Sequence, residues 1–301
     1  LGLLAGGSAL AAEAETTTVM GEVVVTATRQ AEELASVPAN VTVITEGEIT
    51  RSVALNIPEL LRSVAGVLVS DTGGTGRNYT FDLRGIGETG SLNTLVLVDG
   101  RRINQADMSG VDWTLIPKDR VERIEIVRGG RGSVLYGDNA AGGVINIITK
   151  KSDGQLAGTA NVLVGSYKTF QGNTSVSGVA KDLMFAVNAN YRVSDGYRDN
   201  SDTIARDVGL NLELEPSDRV SFRLNAGFHD DETGMPGGLF ESDLTSGVSR
   251  ESTWTPDDYA NTEDWYFQGG GQFYLTNNSY LDVDASVRNR LAKSYYVAYG
   301  S

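Results

Sequence analysis

Cysteine is absent from the 301 residues. That excludes a disulfide framework, thiolate zinc sites, iron–sulfur clusters and a cysteine nucleophile. Histidine is nearly absent too. His229 stands alone, so no pair of histidines can build a metal centre or a catalytic dyad. Basic residues are outnumbered 39 to 25, giving a net charge of −14. That is the wrong balance for a nucleic-acid partner, which needs a phosphate-neutralising face. No apolar run reaches the ~18 residues of a transmembrane helix. Proline is scarce at 6, which excludes collagen-like and Pro/Gly disordered compositions. Glycine, by contrast, reaches 36 of 301 residues, well above the usual ~7%. The acidity is concentrated: residues 151–301 hold 12 basic and 21 acidic side chains, and there the texture of the sequence also changes.

Four segments follow. Residues 1–12, LGLLAGGSALAA, combine an apolar stretch with the small-x-small pattern Ala9-Leu10-Ala11. They read as a signal-peptide remnant cut after Ala11 or Ala12, with the basic leader region truncated away. An exported chain without a spanning helix is soluble, lipid-anchored or a β-barrel, and the missing cysteine removes the lipoprotein route. Residues 13–30 form a polar leader around GEVVVTATR at 21–29. Its β-branched run is either the first strand of the next domain or a segment that adds to another protein's sheet edge. Residues 31–152 read as mixed α/β. Strands are predicted at 41–45, 67–69, 93–99, 121–128 and 144–149, with a helix from Asn56 to about Val64, capped by Asn56 with Pro58 in its first turn.

Residues 153–301 alternate with period two. Val220, Phe222, Leu224, Ala226 and Phe228 share one face; Ser221, Arg223, Asn225, Gly227 and His229 share the other. The same holds for 183–193, 208–215 and 280–291, and less strictly for 155–165, 168–179 and 263–276. Seven such strands approach the ~9–11 residues that cross a bilayer at a tilt. Short turns at 180–182, 215–218 and 276–278 alternate with longer loops at 194–203 and 230–262, as in outer-membrane barrels. Trp265, Phe267, Phe273 and Tyr274 suit an interfacial girdle or an ordinary core. A soluble sandwich remains the competing architecture. Single-chain bacterial barrels have even strand numbers, so a chain ending at Tyr299-Gly300-Ser301 reads as cut short there as well.

Smaller motifs carry little. Gly85–Gly90 matches G-x-G-x-x-G, but a strand follows where a dinucleotide site needs a helix. No P-loop, nucleophile elbow or HExxH occurs, and no catalytic constellation marks an enzyme. His229 falls on the polar face of its strand, as a lumen-facing residue. Asp195, Asp199 and Asp202 in one long loop and Asp230 and Asp231 at the edge of the other supply hard oxygen donors of the kind calcium takes. They form a weak candidate set beside the commoner reading of solvated acidic loops. Otherwise no cofactor is expected.

PANVTVIT at 38–45, LLRSVAGV at 60–67, LRGIGETGSLNTLVLVDG at 83–100 and IPKDRVERIEIVRGGRGSVLYGDNAAGGVINIITK at 117–150 resemble successive motifs of the plug domain of TonB-dependent outer-membrane receptors. Residues 21–29 are similar to the TonB box of that family. Two departures fall in loops: Ala65 and Gly130 stand where the family often has proline. The resemblance implies an α+β plug inside a transmembrane antiparallel β-barrel, about 22 strands in that family, of which about seven lie here. It implies a Gram-negative outer-membrane location and uptake of a ferric siderophore, with cobalamin (vitamin B12) as the second substrate class. It further implies that Glu22, Val23, Val24, Val25, Thr26 and Ala27 pair with TonB by strand addition. Arg84 and Arg128 would pair with barrel glutamates beyond this chain. Substrate contacts fall to the apical loops: Arg77, Asn78, Tyr79, Glu88, Ser91, Leu92, Asn104, Gln105, Asp107, Asp112 and Trp113. A passive porin or adhesin would have the strands without plug or box.

Overall fold

In the computed structural model the described residues are 24–25, 32–33, 40–71, 77, 79–83, 85, 87–105, 110–129, 136–277 and 279–297. Near the N-terminus β1 (Val24–Val25) pairs antiparallel with β2 (Glu32–Glu33). An α/β domain follows. β3 (Asn40–Ile44) gives way to α1 (Glu46–Arg51), a helix that the strand pattern alone did not announce. Thr45, read from sequence as the strand's last residue, is instead the N-cap. Its hydroxyl accepts from Glu48 N, and the Glu48 carboxylate accepts from Thr45 N at 2.8 Å, the reciprocal pairing of a capping box. α2 (Ile57–Leu61) starts as expected, with Asn56 Oδ1 accepting from Glu59 N at 2.9 Å.

β4 (Leu68–Asp71) pairs with β5 (Tyr79–Asp82), a strand that sequence patterning passed over. α3 (Gly90–Asn93) leads into β6 (Thr94–Val98), which turns at Asp99-Gly100 into β7 (Arg101–Arg102). Both turn residues have positive φ, 49° and 79°, as a tight two-residue hairpin requires. β8 (Val121–Arg128) and β9 (Gly143–Thr149) complete a sheet of order β3-β8-β9-β6-β7, in which only β6 and β9 run parallel. α1 and α2 cover one face, where Ile49, Ile57, Leu61, Ile124, Ile126, Ile145 and Ile147 form the main core; Leu95, Leu97, Val127 and Val144 pack on the other face.

The remainder is one antiparallel meander: β10 (Ala157–Gly165), β11 (Thr169–Ala180), β12 (Leu183–Ser194), β13 (Thr203–Ser217), β14 (Val220–Thr233), β15 (Tyr259–Thr276) and β16 (Ser279–Tyr295), paired in chain order. The seven strands match the seven expected, but β13 to β16 run to 14–18 residues each and so shorten the loops between them. The sheet is not closed. Val208, Phe222, Leu224, Phe228, Phe267, Val283 and Val287 are exposed on its outer face, while Asn173, Asp207, Asn211, Asn225, His229, Asp264 and Gln268 are buried on the inner one. The long connection between β14 and β15 carries α4 (Glu241–Thr245). Because the buried inward residues are polar, the wall receives the α/β domain through hydrogen bonds and ions rather than an apolar seam.

Candidate functional site at the domain–wall contact

Strand register sets the wall's half of the contact. β13 pairs Asp207 with His229 on β14, and β14 pairs His229 with Asp264 on β15. Since side chains two apart share a face, Asp231 and Thr262 join the same row. The α/β domain presents Arg77, Asp112, Arg101 and Arg120 to it.

Arg77 is the hub. It is 4% exposed. Its Nη2 donates to Asp112 Oδ2 at 2.8 Å and to the Thr262 hydroxyl; its Nη1 donates to Asp231 Oδ1 at 3.1 Å and to the Ala260 carbonyl at 2.8 Å. Arg290 Nη2 reaches the same Asp112 oxygen at 2.9 Å. His229 lies between Asp207 (Nδ1 to Oδ1, 2.6 Å) and Asp231 (Nε2 to Oδ2, 3.3 Å). Burial opposes charge on both Arg77 and Asp112, but each is the other's countercharge. Asp112 and Asp231 hold the Arg77 guanidinium above its ordinary pKa, and Arg77 with the Thr114 hydroxyl holds Asp112 below the usual carboxylate range.

Further polar contacts extend the seam. Asn211 Nδ2 donates to Thr149 Oγ1 at 3.0 Å and to Lys150 O at 2.8 Å. Gln268 Nε2 donates to Asp99 O at 3.1 Å, Asn173 donates to Asp119, and Lys151 Nζ meets Glu213 at 3.2 Å. On the long-loop side a cavity of about 300 Å³ opens between the domain and β11–β14, lined by Lys118, Gln171, Asn190, Arg192, Tyr197 and Arg198 among others. Lys118 and Arg198 are committed to backbone carbonyls. Arg192 Nε is buried without an acceptor, so Arg192 is a cavity cation that sequence reading missed. Strand alternation alone places it on the inner face with Asn190.

Several apical-loop expectations are corrected. Arg77 and Asp112 spend their charge on the contact just described. Trp113 is 3% exposed and packs on Phe81, ring centroids 4.5 Å apart. Tyr79 is buried, with its hydroxyl accepting from Asn56 Nδ2. Asn104 bonds the β6 backbone at both ends, accepting from Val96 N and donating to Thr94 O. All five are engaged in packing or hydrogen bonds within the protein, and Arg77 and Trp113 also line the long-loop cavity. Leu92 and Gln105 are partly accessible; the side chains of Glu88 and Ser91, and Asn78 and Asp107 altogether, lie outside the described residues, as does Arg84. Arg128 donates to Asn40, Thr42 and the Ala65 carbonyl inside its own domain, so its terminal nitrogens are already engaged there. Of the box, Val24 and Val25 form β1, and Glu22, Val23, Thr26 and Ala27 lie outside the described residues, like residues 1–12. The calcium set does not assemble. Adjacent Asp230 and Asp231 point to opposite faces of β14; Asp230 meets Arg206, Asp231 meets Arg77, and Asp195 meets Lys168. Among the described residues no three acidic or histidine side chains gather as a metal-holding group.

The TonB-dependent Receptor Plug Domain family matches residues 33–144. Those residues carry the plug domain found in TonB-dependent receptors. The α/β domain is thus the plug domain, and the open meander has the fold of part of the barrel in solved receptors of that kind. The "Vitamin B12 transporter BtuB" of Vibrio cholerae serotype O1 is 44% identical over 158 residues, covering 52% of this chain and 25% of that protein. The solved ferric citrate transporter FecA, in its unliganded form, superposes with a TM-score of 0.75 at 23% identity, over 87% of this chain and 41% of that one. The ferric yersiniabactin uptake receptor FyuA from Yersinia pestis gives 0.71 at 20% identity, over 87% and 42%. These structures share the fold; the match to the curated transporter spans about a quarter of that protein's length.

Proposed function

We propose that this chain supplies the plug and the first strands of an outer-membrane receptor that takes up a scarce metal chelate using energy delivered through TonB. The observation that carries the reading is the polar seam between plug and wall. Arg77 crosses it to Asp231, Thr262 and the Ala260 carbonyl. A domain seated this way stoppers a bore, which a passive pore has no use for. A hydrated, ionic seam also yields to a directed pull more readily than an apolar one, because water replaces each bond as it breaks.

The β-branched segment 22–27 is the handle for that pull. Strand addition needs only backbone donors and acceptors, so a short valine-rich segment suffices to recruit TonB. The outer row of Phe222, Leu224, Phe228, Val283 and Val287 suits contact with lipid tails in the outer membrane.

Two chelates are in view. Ferric siderophore follows from the family as a whole. Cobalamin is favoured by the likeness to a vitamin B12 transporter, the more sequence-specific of the two observations. Growth of a gene-deleted strain with limiting cobalamin, or with limiting ferric siderophore, separates them. Loss of growth on one source, restored by the gene, assigns the substrate; undiminished growth on both overturns the uptake reading.

A further inference from the structure

A second cavity, about 30 Å³, lies in the seam where Arg101, Arg120, Arg288, His229, Asp207 and Asp264 meet beside Tyr266. Its volume is that of one or two water-sized particles. Arg101 lies over the Tyr266 ring, its Cζ 3.8 Å from the centroid, and Arg120 donates to the Tyr266 hydroxyl. Two inward glycines make the room. A Cβ on Gly209 would sit 2.7 Å from Arg120 Cζ, and one on Gly227 would sit 2.4 Å from Tyr266 Cε1.

The charges around this cavity do not balance. Asp264 is engaged by Arg288 Nε at 2.8 Å, and Asp207 by His229 at 2.6 Å. Arg101 and Arg120 have no carboxylate in ion-pair contact among the described residues. Arg101 Nε and Nη1 and Arg120 Nε are buried with no hydrogen-bond acceptor. A guanidinium cannot shed its proton to escape this, and a buried donor left unmade is costly. Burial first, and then the nearby Arg288 and Arg120, press the Arg101 pKa below its ordinary value.

We propose that a monovalent inorganic anion, a halide, binds in this cavity between Arg101 and Arg120 and acts as a keystone between plug and wall. The size favours a halide over a phosphate or carboxylate, whose several oxygens exceed the space. The anion supplies the missing acceptor for both guanidinium groups and cancels the excess positive charge. Its site shares only Ile116 and Asp207 with the lining of the long-loop cavity, and the inference does not depend on which chelate is transported.

The test uses the full-length receptor in detergent. Crystals soaked in bromide are expected to show an anomalous peak within hydrogen-bonding distance of Arg101 and Arg120. The unfolding temperature is expected to rise with chloride, compared with isethionate at equal ionic strength, and to saturate as a single site fills. Arg101→Gln is expected to remove that halide dependence and spare chelate binding. Water alone in the cavity of bromide-soaked crystals overturns the proposal, as does a chloride effect that persists in Arg101→Gln. The crystal experiment uses the unaltered protein, so a variant that fails to assemble does not shield the idea.

Discussion

Arg77 concentrates more of the plug–wall contact than any neighbouring side chain, since it touches Asp112 within the plug and Asp231, Thr262 and the Ala260 carbonyl on the wall. Arg77→Ala would remove one of the two cationic partners of each buried carboxylate, leaving Asp112 to Arg290 and Asp231 to His229, a loss of up to about 3 kcal/mol. Plug seating, followed by protease cutting of the plug in detergent-solubilised receptor, is expected to fail at a correspondingly lower urea concentration. Arg77→Lys keeps the charge but loses the fork that serves both carboxylates, and is expected to fall between the two. Acid sensitivity follows from Asp112. A carboxyl held below its unfolded value near ~3.9 stabilises the fold above that pH and withdraws its contribution as the pH drops through its folded value. The contact is therefore expected to weaken below about pH 4, read by the fluorescence of Trp113 against Phe81. In Arg77→Gln the transition is expected at higher pH, because the main cause of the lowering is gone. An unshifted transition would show that Asp112 does not control it. Neither role of Arg77 was visible in the linear chain. An arginine between glycines and an asparagine reads as a loop side chain facing solvent; only the row Asp231–Thr262, brought from more than 150 residues away, turns it inward.

At the scale of elements, two segments invite separate tests. The first is the box. Its only described residues, Val24 and Val25, pair in extended backbone with Glu32 and Glu33. Deleting residues 22–27 is expected to abolish uptake and leave chelate binding at the cell surface intact; uptake that survived would sink the box assignment. The second is the connection between β14 and β15. Arg198 donates to the carbonyls of Pro236, Gly237 and Ser252, and Asn200 Nδ2 to those of Met235, Thr255 and Asp258. Two residues of the shorter loop thereby pin the longer one over the cavity mouth. Asn200 holds φ at +56°, a conformation asparagine tolerates better than most residues. Asn200→Ala is expected to raise hydrogen exchange across 234–258 by an order of magnitude or more while β14 and β15 stay protected, the equivalent of losing about 1–3 kcal/mol of buried hydrogen bonding. The strands themselves were legible because alternation has a fixed period. Their ends were not, since the ladder continues wherever a neighbour extends, and β15 and β16 carry each other past the alternating stretch.

For the molecule as a whole, the central question is whether the plug moves against the wall. Asn173 on β11 touches Asp119 of the plug, and the chain has no native cysteine. Asp119→Cys with Asn173→Cys therefore places one defined pair of thiols across the seam. Uptake is expected to stop when the pair is oxidised and to return on reduction, with chelate binding unchanged throughout. Uptake through the oxidised form would mean that the substrate passes without displacement at this seam. The residue order alone settled a great deal here: alternation with period two made the wall, the Asn56 cap with Pro58 made a helix, and motif spacing marked a plug. Each is written locally, within a few residues of the atoms it governs. Which polar side chains would be consumed inside the protein was decided only by folding. Arg77, Asp112, Tyr79 and Asn104 look like ligand-reaching groups until the wall or a neighbouring strand claims their hydrogen bonds. Arg101 and Arg120 look like surface charges until Gly209, Gly227 and Tyr266 enclose them. Burial and charge balance depend on partners far away in the chain, and so they appear only once the domain and the wall are brought together.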